Sequence, residues 1–209
     1  MGTHYLDLIQ WALGQDAPTS VVAVGGNYAV EDSRNIPDTL EVIWEYPGGT
    51  IVTFSQINAN AAPLDAKRAE VEFRGTEGTL YYRGNRIEIV PENVRTEPRP
   101  ALDPRNRKGN AKQMSATRPA GEALVETTPS RPEVLHTRNF LDCVKSRKLT
   151  NCPVEVGHRS TTATLLANVA YDRKRYLTWD GKTEQVTNDP EANRLLSYEY
   201  RPPWRLPQI

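Results

Sequence analysis

Cysteine is scarce in this sequence, no charge sign predominates, and no long hydrophobic run occurs. The two cysteines, Cys143 and Cys152, are too few for a disulfide framework and lack the neighbouring His or Cys ligands of a zinc site, so both are expected to be ordinary thiols. Lys plus Arg and Asp plus Glu number 26 each, which leaves no global field to draw in nucleic acid or an anionic membrane. No segment approaches the roughly 20 apolar residues that span a bilayer, and no basic stretch followed by a hydrophobic one opens the chain. A Gly-x-Gly-x-x-Gly turn and a phosphate-binding loop are also missing. Gly25-Gly26 does follow the apolar run Val21 to Val24, but no amphipathic helix comes after it, and a strand with a bulge is expected there.

Apolar residues at 38% and charged residues at 25% place the 209-residue chain with somewhat polar globular domains, large enough to fold without a disulfide or metal. Met1-Gly2-Thr3-His4 runs straight into helical periodicity, so the chain is expected to begin inside a larger fold. Any targeting signal would then lie upstream, which leaves the compartment open. From Thr3 to Leu13, Leu6, Ile9 and Leu13 form one stripe, while His4, Asp7, Leu8 and Trp11 gather opposite, with Gly14 at the C-cap position. Strands are expected at Ser20 to Ala29, Thr39 to Tyr46, Thr50 to Asn58, Ala69 to Arg74, Thr79 to Arg83 and Arg86 to Val90. Pro47-Gly48-Gly49, Gly75 to Gly78 and Gly84-Asn85 mark hairpins between them.

Residues 91–129 are rich in Pro, Arg, Lys, Thr and Gly and are expected to form a long irregular excursion. Its basic residues Arg105, Arg107, Lys108, Lys112 and Arg118 lack interleaved aromatics for base stacking, which points to a solvated or partner-wrapping loop. Ser130-x-x-Glu133 has capping-box spacing before a helix to about Lys145, with Val134, Thr137, Leu141 and Val144 as its core stripe. A second helix is expected over Gly157 to Arg175, with Leu165, Leu166, Val169 and Ala170 inward, then a Tyr176 to Trp179 strand and a turn at Asp180-Gly181. Asp189-Pro190 fits an N-cap with proline at the first helical position. The tail, 198–209, is expected to be extended. The fold class is therefore α+β, an open and mostly antiparallel sheet with helices packed on one face.

His4 and Asp7 stand three residues apart and can share a helix face, where a carboxylate supports an imidazole acting as general base. The same spacing also fits a structural hydrogen bond. His158 and Arg159 fall at an expected helix N-terminus, able to hold an anionic or hydroxylated ligand or simply to cap in solvent. Lys67 and Arg68 follow a strand end and can reach a sugar hydroxyl or form a polar rim. His136 lies beside a core stripe and is expected to be structural.

The segment Gly2-Thr3-His4-Tyr5-Leu6-Asp7-Leu8-Ile9-Gln10-Trp11-Ala12-Leu13-Gly14 resembles the G-x-H-x-x-D-x-x-x-W-x-x-G segment of the Gfo/Idh/MocA family, the glucose-fructose oxidoreductase and inositol dehydrogenase relatives. Phe73-Arg74-Gly75-Thr76-Glu77-Gly78-Thr79-Leu80 is similar to that family's F-x-G-x-x-G-x-L hairpin, and Asn139-Phe140-Leu141-Asp142-Cys143 to its N-F-L-D-C helix. Gly157 to Thr162 and Pro202-Pro203-Trp204 resemble the branch with the bacterial-type C-terminal domain. The resemblance covers nearly the whole chain and implies one C-terminal domain over 1–209, for substrate binding and oligomerisation, without the Rossmann half. It implies a nicotinamide-dependent oxidoreductase acting on a sugar or polyol hydroxyl, with His4 as the catalytic base. Asp7, Trp11, Lys67, Arg68, His158 and Arg159 are the substrate-side candidates.

By the same resemblance the family's catalytic lysine and acidic partner lie before Met1. NAD or NADP then belongs to the full-length parent, with no cofactor expected for this chain alone, which is expected to be inactive by itself. The expected partners are a small carbohydrate or polyol and further copies of the chain through the sheet face, with no nucleic acid or membrane. The alternative is a non-catalytic sheet module for oligomerisation or glycan binding.

Overall fold

The computed structural model describes residues 2–63, 67–95, 105, 117–128 and 132–205. In chain order the elements are α1 (Gly2–Leu13), β1 (Ser20–Gly26), β2 (Thr39–Tyr46), β3 (Thr50–Ile57), β4 (Val71–Arg74), β5 (Gly78–Arg83) and β6 (Arg86–Pro91). They continue with β7 (Asn93–Arg95), β8 (Thr117–Pro119), β9 (Leu124–Thr127), α2 (Pro132–Ser146), α3 (Val154–Arg173), β10 (Leu177–Asp180), β11 (Gln185–Val186) and α4 (Pro190–Arg194). Two compact units result, one from Met1–Ala62 with Asn139–Ile209 and the other from Pro63–Arg138.

The first unit is built on an antiparallel sheet in the order β11-β10-β1-β2-β3. Tyr46 pairs with Thr50 across the expected hairpin, where Gly48 and Gly49 take φ of 82° and 84°, a region that L side chains seldom enter. Alternation along β2 sends Leu40, Val42, Trp44 and Tyr46 to one face, joined there by Val21, Ala23, Val52, Leu177 and Trp179. Leu6 of α1 and Ala163, Leu166, Ala167, Val169 and Ala170 of α3 cover that face. Full burial of such a Leu or Val side chain contributes about 1.5–3 kcal/mol, so this one-sided core holds the unit together. The other sheet face leaves Val24, Ile43, Ile51 and Ile57 exposed. The α+β class expected from sequence, antiparallel with helices on one face, is the one observed.

In the second unit β4-β5-β6-β9 form an antiparallel sheet and β7-β8 a two-stranded ribbon. Register places Val71, Tyr82 and Ile87 beside Phe73, Leu80 and Ile89 on one face, with Glu72, Tyr81 and Glu88 on the other. The Gly84-Asn85 turn is as expected, with Gly84 at φ 56°.

Several local expectations are corrected. Strand β1 ends at Gly26 rather than Ala29, and Gly25 and Gly26 pair regularly with Leu40 and Thr39, without a bulge. A Cβ at Gly25 would lie 2.3 Å from the Thr39 carbonyl oxygen, so close strand packing requires the glycine. Helix α3 starts at Val154 rather than Gly157, and Leu165 is 53% exposed while Leu166 is 1% exposed. The stripe Val134, Thr137, Leu141 and Val144 on α2 is exposed rather than core, since α1 and α3 are the helices that cover the buried face of the first unit's sheet. Ser130, Arg107, Lys108 and Lys112 lie outside the described residues. Within 91–129, β7, β8 and β9 supply regular structure. Residues 198–205 form no helix or strand, and the rings of Tyr198 and Tyr200 stand 4.8 Å apart.

Candidate functional site on the outer face of the first helix

Helix α1 carries the strongest candidates, and its sequence explains how it is seated. Leu6 is buried, and Ile9 and Leu13 pack against the core as their spacing predicts. Gly14 closes the helix at φ 62°, and the N–H of Gln15 reaches the carbonyl of Gln10 at 3.0 Å. With that stripe turned inward, His4 is exposed, Asp7 and Leu8 are half-buried, and Trp11 is 81% exposed. Asp7 Oδ1 is itself buried and accepts no hydrogen bond from any described residue. The His4–Asp7 bond that the spacing permits is therefore not made through this oxygen. Gln10, on the flank between the two faces, donates from Nε2 to the Tyr46 hydroxyl at 3.1 Å. Burial pushes that phenol up to about 12, so it remains protonated.

His158 and Arg159 sit inside α3 rather than at its first exposed N–H groups, because the helix begins a turn earlier than expected. His158 Nε2 lies 2.7 Å from Glu184 Oε1. Arg159 donates to Glu155 at 2.8 Å, to the Gly181 carbonyl at 2.7 Å and to Glu184 at 3.0 Å. The pair thus fastens α3 to the β10–β11 turn, where Asp180 Oδ1 accepts from the N–H groups of Lys182 and Thr183. Those backbone bonds hold the Asp180 carboxyl below its usual range.

Lys67 and Arg68 belong to the second unit. Lys67 pairs with Glu88 and stands 5.7 Å from the centroid of the Tyr81 ring. The lysine hydrogen bond lowers the Glu88 carboxyl. Arg68 takes a φ of 54° and is exposed. His136 is exposed on α2, and Cys143 donates to the Leu149 carbonyl at 3.2 Å. The candidates therefore fall into three groups, on α1, on α3 and beside β4. Among the described residues no cluster of His, Cys, Asp and Glu could hold a metal ion, and no helix is long and apolar enough to cross a membrane.

Sequence reasoning missed the Asp38 centre. Asp38 is fully buried, and its Oδ2 accepts from the consecutive N–H groups of Tyr28, Ala29 and Val30 at 3.1, 2.9 and 2.9 Å. Thr39 Oγ1 donates to Oδ1 at 2.8 Å, and the Asp38 N–H donates to Asn27 Oδ1 at 3.1 Å. These bonds, the Ala29 N–H foremost, hold the carboxyl at about 2. No local signal announced it: Asx side chains ordinarily bind backbone within a few residues, whereas these donors lie eight to ten residues before Asp38.

Two family models match the chain. One, described as GFO/IDH/MocA C-terminal domain, covers residues 1–81. The other, described as oxidoreductase family, C-terminal alpha/beta domain, covers residues 105–206. A comparison with curated proteins finds no match. Among solved structures, an aldose-aldose oxidoreductase from Caulobacter crescentus complexed with glycerol is 11% identical with a TM-score of 0.57, over 85% of this chain and 45% of that one. An oxidoreductase from Agrobacterium radiobacter in complex with NAD+, L-tartaric acid and magnesium is 16% identical with a TM-score of 0.51, over 85% and 47%. At such identities the likeness is one of fold. The chain spans about half the length of the solved structures it matches.

Proposed function

We propose that this chain, which belongs to the GFO/IDH/MocA oxidoreductase family and corresponds to its C-terminal domain, is the substrate-facing part of a nicotinamide-dependent enzyme that oxidises or reduces a sugar or polyol carbon. The observation that carries the proposal is the seating of α1. Its apolar stripe packs into the core while His4 stands exposed, with Asp7 and the ring of Trp11 on the same side of the helix. Such a face offers an imidazole to take a hydroxyl proton and an apolar ring for a sugar face. Lys67, Arg68, His158 and Arg159 are secondary candidates for substrate contact; Lys67 and Arg159 are already engaged in ion pairs, and His158 in a hydrogen bond with Glu184. The glycerol in the Caulobacter structure and the NAD+ in the Agrobacterium structure agree with polyol and nicotinamide chemistry in proteins of this fold.

Gly25 and Gly26 end an antiparallel strand rather than opening a helix, so no described glycine turn presents helix N–H groups to a pyrophosphate. The contribution assigned to this chain is therefore proton exchange at His4 Nε2 or Nδ1 together with substrate contact. A second reading, a non-catalytic oligomerisation or glycan-binding module, is favoured by the exposed Val24, Ile43, Ile51 and Ile57 on the outer sheet face.

The deciding experiment is steady-state kinetics of His4→Asn in a protein that joins this domain to a dinucleotide-binding half. Turnover should fall about 10²- to 10⁴-fold with an unchanged melting curve, because asparagine keeps a polar contact but removes the base. Turnover close to that of the parent would assign His4 to structure and favour the module reading.

A further inference from the structure

We infer that the buried Gln10–Tyr46 hydrogen bond is a positioning pair that sets the roll of α1 about its own axis and so aims His4, an inference that rests on the proton-transfer reading above. The contacts of Leu6, Ile9 and Leu13 bury area but are non-directional, and apolar packing alone permits a helix to roll slightly on its bed. The Gln10–Tyr46 bond is directional. Gln10 is 6% and Tyr46 2% exposed, and the 3.1 Å bond ties the helix to the end of β2, a strand paired on both sides. At about 100° per residue, Gln10 lies roughly 60° around the helix from Asp7 and roughly 120° from His4, between the core stripe and the candidate face. Rolling the helix would strand a buried amide and a buried phenol, and unmade bonds in such surroundings are costly.

The consequence for chemistry follows from leverage. Side chains extend to about 5–6 Å from the helix axis, so a roll of about 10° carries the imidazole about 1 Å, a displacement of the size that can cost about 100-fold in a reacting geometry. Gln10 and Tyr46 touch no reacting atom in this scheme. They act through the direction of α1.

The test uses the 209-residue chain and nuclear magnetic resonance, comparing the parent with Tyr46→Phe and with the double variant Gln10→Leu/Tyr46→Phe. Replacing both polar partners by apolar groups removes the unsatisfied atoms, so the double variant should recover most of the melting temperature that Tyr46→Phe loses. The phase of the residual dipolar couplings along α1, taken relative to α3, should nevertheless shift by about 10° or more in both variants. The ring carbon–proton signals of His4 should move or broaden with it. A purely structural pair would restore stability and His4 signals together, and couplings and ring signals matching the parent in the double variant would overturn the inference. Tyr46→Phe alone gives the same readout should the double variant fold poorly. Neither outcome bears on whether His4 transfers a proton, which the turnover of His4→Asn measures separately.

Discussion

Arg173 grips both carboxylate oxygens of Asp189, donating from Nε at 2.9 Å and from Nη2 at 3.3 Å. The same Asp189 Oδ1 accepts the N–H groups of Glu191 and Ala192 at 3.0 and 3.3 Å and so caps α4. One buried carboxylate thereby joins the end of the long helix α3 to the start of a five-residue helix too short to stand alone. The arginine contact is the leading cause of the lowered Asp189 carboxyl.

Acid should loosen the first unit through its aspartates. Asp38, held at about 2, lies below the usual aspartate value of about 4. A folded-state value below the unfolded one means stability that is present above about pH 4 and is lost as pH falls through the folded value. Thermal melts between pH 2 and 6 should therefore show an acid limb between about pH 4 and pH 2. Asp38→Asn should melt below the parent at pH 6, with the gap narrowing by pH 2. A gap independent of pH would contradict the assignment.

Adjacent leucines on α3 should behave differently. Leu166→Ala empties a fully packed position and should cost about 2–5 kcal/mol. Leu165→Ala, at a half-exposed position, should stay within about 0.5 kcal/mol of the parent. Urea titrations of the two variants measure both values, and equal losses would mean that the roll of α3 is different from the one described.

The outer sheet face should mediate self-association, because Val24, Ile43, Ile51 and Ile57 lie exposed on neighbouring strands. Sedimentation at micromolar concentration is expected to show a dimer or larger species. Ile43→Glu, beside Glu41 and Glu45 on that face, should shift the distribution to smaller species by like-charge repulsion. A parent that sediments as a clean monomer would count against this role for the face.

Titration calorimetry of the 209-residue chain with NAD and with NADP should give no binding in the micromolar range, since no described glycine turn feeds a helix N-terminus. A micromolar dissociation constant for either would require a nucleotide site that the described residues do not suggest.

The sequence alone determined what local chemistry decides. Period-2 alternation in Thr39–Tyr46 with the Gly48-Gly49 turn specified a hairpin, because each strand has one buried face and the turn requires positive φ. Asp189-Pro190 specified a helix start through its own backbone contacts, and Leu6, Ile9 and Leu13 specified which way α1 faces, leaving His4, Asp7 and Trp11 outward. Tertiary structure decided the rest, because burial depends on what arrives from elsewhere in the chain. The apolar stripe of α2 has the same periodicity as a core helix yet is exposed, and Leu165 and Leu166, adjacent and equally apolar, differ because only one of them meets the sheet. Neither the Asp38 centre, whose donors lie eight to ten residues away across a loop, nor the Gln10–Tyr46 bond, 36 residues apart, follows any local pattern. Both arise only once the chain brings distant polar groups into one buried place, where each must find a partner.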